Sequence, residues 1–258
     1  MSKIHPTAII ERGAELEADV EVGAYAVIGA NVQIGAGTRI GPHAVIAGYT
    51  RIGKDNKIFQ FASIGGEPQD KKYAGEPTLL EIGDRNTIRE FCTFNVGTVQ
   101  DAGATRLGND NWMMAYVHLA HDCQIGNNTI FANNSQLAGH VHIDDFAILG
   151  GFTAVHQFCR IGSHSITSIG TVVLQDIPPF VTASGNTAAP YGINSEGLKR
   201  RSFSVDTIMR IKRAYKVLYK SGLGLDDAKR EIIAMTLECP QLQMLVDFLS
   251  VSTRGIIR

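Results

Sequence analysis

An aliphatic residue returns at every sixth position from Ile4 through Ile10, Leu16, Val22, Ile28, Ile34, Ile40, Ile46, Ile52 and Ile58 to Ile64. Glycine often follows it directly, as at Gly23, Gly29, Gly35, Gly41 and Gly53, and a small or β-branched residue sits four places on, as at Ala8, Val20, Ala26, Thr38 and Ala44. Neither the 3.6-residue period of a helix nor simple strand alternation produces this. A fixed short period predicts a solenoid, in which each unit buries its apolar residue against the next. Six residues are too few to close a unit, so several hexads of short strands and tight turns must form one coil. If three do, residues eighteen apart stack about 5 Å apart along the axis.

The register breaks twice. From Gly66 to about Leu80 the segment GEPQDKKYAGEPTLL is rich in proline, glycine and charge, and the pattern resumes in phase at Ile82, Ile88 and Phe94. From about Asn95 to Arg106 a second break shifts the register by one before Leu107, Met113, Leu119, Ile125, Phe131, Leu137, Ile143, Leu149, Val155 and Ile161. These are read as two loops, at about 66–80 and 95–106, leaving a continuous scaffold, a common location for function. Past Ile161 the pattern weakens, and Pro178, Pro179 and Pro190 predict an extended connection over Asp176–Asn194. A helical stripe follows at Val205, Ile208, Ile211, Tyr215 and Leu218, with Ser204 as N-cap and Gly222 as stop. Asp226 and Asp227 open a second helix carrying Ile232, Ile233, Met235 and Thr236, and Pro240 a third with Leu242, Leu245, Val246 and Leu249. The expected division is a parallel β solenoid over 1–190 and a small α-helical domain over 191–258.

Composition narrows the function classes. Lys+Arg 24 against Asp+Glu 25 gives a formal charge of −1, with no global attraction to nucleic acid. Cys92, Cys123, Cys159 and Cys239 show no CxxC spacing and read as reduced core fillers, in keeping with a cytoplasmic protein. The start MSKIHPTAII enters the hexads at once, so no secretory signal is expected, and no run of apolar residues predicts a transmembrane helix. There is no Walker motif and no GxGxxG.

The chemistry lies in the histidines. His118, His121, His140, His142, His156 and His164 fall close together, and eighteen-residue stacking sets His121 beside Gly139 and Gln157, Asp122 beside His140, and Ala120 and Ala138 on the way to His156. A direct His121–Asp122 pair needs a turn, because adjacent strand residues face apart. Two chemistries fit this cluster. His121 can serve as general base toward an alcohol attacking an acyl carbon, with the Gly139 N–H as oxyanion donor. Alternatively, three of His118, His121, His140 and His142 hold a divalent metal that activates water, as in a hydratase of carbonic anhydrase type. A scaffold without catalysis would leave the alignment without a role. Positive charge is local: Lys71 and Lys72 beside Asp70, then Lys199, Arg200 and Arg201, then Arg210, Lys212, Arg213, Lys216 and Lys220, suited to phosphate or an acidic partner or to a solvated helix face.

The hexads together with QDKKYAGEPT, HLAHDC, LAGHV, GGFTAVHQFC, GNTAAPYGINSEGLKRR and STRGIIR resemble the hexapeptide-repeat acyltransferases, specifically the UDP-N-acetylglucosamine O-acyltransferases of lipid A biosynthesis. The resemblance implies an all-β left-handed parallel β-helix followed by helices, assembled as a homotrimer with sites between subunits. It implies transfer of an (R)-3-hydroxyacyl group from acyl carrier protein to the glucosamine 3-hydroxyl of UDP-N-acetylglucosamine, with the carrier thioester as co-substrate and no metal or other cofactor. On this reading His121, Asp122 and Gly139 are catalytic. Asp70, Lys72, His118, His140, His156, Gln157, Asn194, Glu196 and Arg201 bind substrate, and Lys199, Arg200 and Arg201 receive the carrier protein. Ile169 limits acyl length, toward ten to twelve carbons. The chain departs from the family at Asn95 and Val96, where a His-Arg pair is usual, and at Thr187, where histidine is usual. The rival within the family of folds is acylation of a 3-amino sugar nucleotide or use of another acyl donor.

Overall fold

The computed structural model describes residues 3–258. Its strands, mostly two residues long, form three parallel sheets that the chain visits in rotation, giving a three-sided left-handed prism. Face I holds eleven strands beginning with Lys3–Ile4, face II nine beginning with Ile9–Ile10, and face III eight beginning with Glu15–Leu16. The sixth-position aliphatics point inward in register, as Ile4 on Val22 and Ile40 on Ile58. Higher coils bury Ile64, Ile88, Phe94, Leu119, Phe131 and Leu137 in one continuous core.

The small slot four residues later lines the inner corners, where Val20, Ala26, Thr38 and Ala44 are fully buried. At corner III–I the same slot holds asparagine in three successive coils, at Asn56, Asn86 and Asn111. Asn86 is fully buried, donating Nδ2–H to Asn56 Oδ1 at 3.0 Å and to Gly108 O at 2.9 Å while its own Oδ1 accepts from Asn111 N–H at 2.9 Å. Asn86→Ala should therefore destabilise the protein by about 3 kcal/mol, since it orphans several buried polar groups, each costing about 1–3 kcal/mol. Chemical denaturation checks this, and a loss well under 1 kcal/mol would show that the ladder is dispensable.

The two breaks are insertions at one corner. Ile58 pairs with Ile88 and Ile52 with Ile82, offsets of 30 where an uninterrupted coil takes 18, so the first insertion adds 30 − 18 = 12 residues. Twelve is two hexads, which is why the pattern resumes in phase although Ile64 and Ile82 lie on different faces. Ile82 pairs with Leu107, an offset of 25, so the second adds 25 − 18 = 7 and shifts the register by one. Both loops are shorter than their sequences suggest. Ser63–Gly66, Leu79–Ile82, Thr93–Asn95 and Ala104–Leu107 are strands, because their backbones pair with the coils above and below, and the free segments are 67–78 and 96–103.

At the corners, non-glycine residues adopt left-handed backbone, a conformation costing about 1–2 kcal/mol for an L-residue. At corner I–II they include Tyr25, His43, Phe61, Phe91 and Tyr116, whose rings stack 4.8–5.4 Å apart into a column that offsets part of this cost.

Above the solenoid, the proline-rich connection forms an antiparallel hairpin of Val181–Ser184 with Ala189–Ile193. Four helices follow: α1 (Ser195–Arg200), α2 (Val205–Lys220), α3 (Leu225–Met235) and α4 (Gln243–Val251), the last entered through a 3₁₀ turn at Pro240–Leu242. Helix α1 has no counterpart in the sequence reading, being too short to show a period. Ser204 caps α2 by accepting from Thr207 N–H at 3.1 Å. The α2 stripe buries Ile208, Ile211, Ala214, Val217 and Leu218 but leaves Val205 exposed, and α3 buries Ala228 and Ile232 while Ile233 faces solvent. The helices pack in a second core with Phe180, Leu198 and Ile256. No helix among the described residues is long and apolar enough to cross a membrane.

Candidate active site

Corner II–III carries the histidine column. His118–Leu119 on face II leads into the turn at His121–Asp122, the next coil up places Gly139–His140 there, and the next Gln157–Phe158. The coils are tied by His140 N–H to His121 O at 3.0 Å and Phe158 N–H to Gly139 O at 3.2 Å. Asp122, His140 and Phe158 all take left-handed backbone. That turn brings together two neighbours that a straight strand would hold apart: His121 Nδ1 lies 2.9 Å from Asp122 Oδ2. The His121 ring rests against Gly139, where an added Cβ would come within 2.5 Å of Cε1 and 2.7 Å of Nε2. The Gly139 N–H donates no hydrogen bond within the described residues.

Asp122 is fully buried. Its Oδ1 accepts from Thr98 N–H at 2.9 Å, and its Oδ2 from the Thr98 hydroxyl at 2.6 Å as well as from His121. Burial alone pushes its carboxyl up, but the hydrogen bonds from His121 and Thr98 outweigh burial and hold it below the usual carboxylate range. A carboxylate only accepts, so His121 keeps its proton on Nδ1 and presents the Nε2 lone pair beside Gly139. His140 Nδ1 lies 2.6 Å from Asp101 Oδ2, its ring stacks on Phe158 at 4.4 Å, and it meets the His121 ring in a T-shaped contact at 5.0 Å between centroids. His118, on face II beside this corner, contacts Thr93 Oγ1 at 2.7 Å, and burial pulls its pKa down, favouring the neutral ring. His156 is exposed, with Nδ1 3.1 Å from Gln157 O and 3.2 Å from Arg254 Nη2. The carbonyl calls for an N–H and the guanidinium for a lone pair, so one protonation state satisfies only one of them.

Both insertions leave from this corner. Asp70 nucleates a turn in the 67–78 loop, its Oδ1 accepting from Lys72 N–H at 3.0 Å, and the Lys72 side chain is exposed. The remaining candidates sit elsewhere on the prism. Ile169 occupies corner I–II, 76% exposed beside Gly151. Asn194, Glu196 and Arg201 lie with α1 near corner III–I. The Asn194 side chain caps α1, accepting from Gly197 N–H at 3.0 Å and donating to His164 O at 2.9 Å. Glu196 pairs with Lys199 at 2.7 Å, Arg201 lies 4.9 Å over the Phe146 ring, and Arg200 is exposed. Thr98, Asp101, Thr93 and Arg254 were not singled out in the sequence. Thr98 and Asp101 belong to the 96–103 loop, which has no register from which to infer their partners.

Nucleophilic and metal chemistry fit these residues less well than general base chemistry. Burial pushes the Cys92 and Cys123 thiols up to about 12 and Cys159 to about 11, where they stay protonated. His121, Asp122 and His140 do bring donor atoms within 4.8 Å of one another, but His142 lies on face III, outside this cluster. Each Nδ1 is already engaged by a carboxylate and the Asp122 oxygens accept three hydrogen bonds, so a metal would have to displace this network.

Comparison with known proteins follows the same lines. Residues 176–257 match the family described as UDP-N-acetylglucosamine O-acyltransferase, domain 2, and residues 13–48 and 104–139 match the bacterial transferase hexapeptide repeat. The chain is 66% identical over 262 residues to the acyl-carrier-protein-dependent UDP-N-acetylglucosamine O-acyltransferase of Janthinobacterium sp. and 64% identical over 258 residues to that of Thiobacillus denitrificans, covering 100% of each chain in both cases. Among solved structures, the UDP-N-acetylglucosamine O-acyltransferase of Moraxella catarrhalis superposes with TM-score 0.97 at 46% identity, covering 99% of both chains. The Francisella novicida UDP-N-acetylglucosamine acyltransferase gives TM-score 0.97 at 43% identity, covering 99% of this chain and 94% of that one.

Proposed function

Because the chain belongs to the UDP-N-acetylglucosamine O-acyltransferase family, we propose that it transfers an (R)-3-hydroxyacyl group from acyl carrier protein to the glucosamine 3-hydroxyl of UDP-N-acetylglucosamine, the first step of lipid A biosynthesis, in the cytoplasm. The observation that carries the mechanism is the His121 ring, held at Nδ1 by Asp122 with Nε2 against Gly139. Nε2 takes the proton of the sugar hydroxyl as its oxygen bonds to the thioester carbon. The carbonyl oxygen becomes an oxyanion, met by the unpaired Gly139 N–H, and collapse of the tetrahedral intermediate breaks the C–S bond. The proton held on Nε2 then neutralises the departing thiolate. Asp122 stays ionised throughout and stabilises the imidazolium. No acyl-enzyme is needed, in keeping with thiols that burial keeps protonated.

A homotrimer accounts for the spread of candidate residues over three corners. Asp70, Lys72, His118, His140, His156 and Gln157 lie on or beside the His121 corner, whereas Ile169, Asn194, Glu196 and Arg201 would complete a cleft from a neighbouring copy. In this reading the solenoid to about residue 190 carries the chemistry, and residues 191–258 bring Lys199, Arg200 and Arg201 to an acidic carrier protein.

The test is a donor and acceptor matrix: acyl carrier protein against acyl-CoA, UDP-N-acetylglucosamine against its 3-amino analogue, and C10, C12 and C14 chains. The expected result is transfer from the carrier to the hydroxyl sugar with C10 to C12 favoured, shifting toward C14 in I169G. Faster turnover of the amino sugar would reassign the acceptor, and an unshifted I169G would remove Ile169 as the length determinant.

A further inference from the structure

We propose that Asp101 is a positioning residue for acyl transfer: it fixes His140 in the Nδ1–H form, so that Nε2 accepts a hydrogen bond from a hydroxyl group of the nucleotide sugar. This rests on the function proposed above and adds to it a residue and a contact chemistry. Asp101 sits in the 96–103 insertion, and its Oδ2 lies 2.6 Å from His140 Nδ1, a short charge-assisted contact. Asp122 Oδ2 is 3.9 Å from the same nitrogen, beyond hydrogen-bond range, so Asp101 sets the proton's position. The ring has little freedom otherwise, with Phe158 stacked parallel at 4.4 Å and His121 in a T-shaped contact. Its side chain is 14% exposed, and Nε2 is the ring nitrogen without a partner among the described residues.

A lone pair there accepts from O–H or N–H groups and repels the acceptor-only oxygens of a diphosphate. That selects the sugar hydroxyls over the phosphates as the group His140 reads. The insertion thereby orients both histidines of the corner: Thr98 holds Asp122, which holds His121, and Asp101 holds His140. Asp101 is 44% exposed, so its charge is partly screened by solvent. Its contribution is the tautomer and the ring orientation.

The test uses D101A and D101E in the full-length enzyme, with steady-state kinetics against UDP-N-acetylglucosamine and ¹⁵N NMR of the His140 ring, assigned by its loss in H140Q. For D101A we expect unchanged melting and assembly, a KM for the nucleotide sugar about tenfold higher, the equivalent of one hydrogen bond, and kcat within about threefold. The His140 spectrum should lose its uniform Nδ1–H signature, and D101E should restore both the spectrum and KM. A D101A enzyme with wild-type KM and an unchanged tautomer overturns the proposal, as does a fall confined to kcat. If the wild-type enzyme fails to acylate the sugar nucleotide, the function is wrong while the NMR result still reports on the Asp101–His140 pair, so the two failures are distinguishable.

Discussion

His121→Ala is expected to lower kcat by about 10³-fold, with melting temperature and assembly unchanged. Positioned general bases contribute about 10²–10⁴, and the His121 ring, with Nε2 2.7 Å from where a Gly139 Cβ would stand, is the side chain nearest that position among the described residues. The fold should survive because the ring is not part of the apolar core. Its loss also leaves Asp122 with both Thr98 hydrogen bonds. Single-turnover transfer from preloaded acyl carrier protein separates chemistry from product release. A folded mutant retaining a tenth or more of wild-type turnover would mean that the hydroxyl loses its proton elsewhere.

Gly139→Ala should be nearly as damaging, by about 10²–10³-fold in kcat/KM, for a different reason. Its backbone does not take the left-handed conformation, so alanine is permitted locally. The new methyl, however, would stand 2.5 Å from His121 Cε1 and must drive the ring away. The displaced base and the crowded oxyanion position lose alignment together, and one donor of that kind is worth about 10²–10³-fold. Structure determination of the variant, alongside its kinetics, should find His121 in another rotamer. An active variant with the ring unmoved would rule out the close approach as a catalytic requirement.

The column of His121, Gly139 and Gln157 was legible because it lies above both insertions, where the offset is 18 as in Gln136 beneath Ala154. The first insertion was legible from its proline, glycine and charge, but its length of twelve was not, since a multiple of six leaves no trace in a six-residue pattern. The His121–Asp122 contact was hidden for a backbone reason: only a left-handed residue turns those neighbours onto each other, and nothing in the letters AHDC requires one. Thr98 and Asp101 reach Asp122 and His140 from an aperiodic segment, so their partners follow from the folded path alone. The family resemblance named Ile169, Asn194 and Arg201, yet in a single chain they stand at other corners. Asn194 in addition commits its side chain to capping α1.

The insertions at corner II–III have an evolutionary consequence. Each coil pairs only with its immediate neighbours, and the coils bracketing an insertion of twelve residues pair in the same way as those bracketing an insertion of seven. A gain or loss of residues there is absorbed locally instead of propagating along the axis. Change in this protein therefore separates into two nearly independent channels: substitution of the inward aliphatics alters the framework, while lengthening or shortening of the corner segments alters what overhangs the His121 corner. Selection can remodel the overhanging segments through the second channel without renegotiating the first.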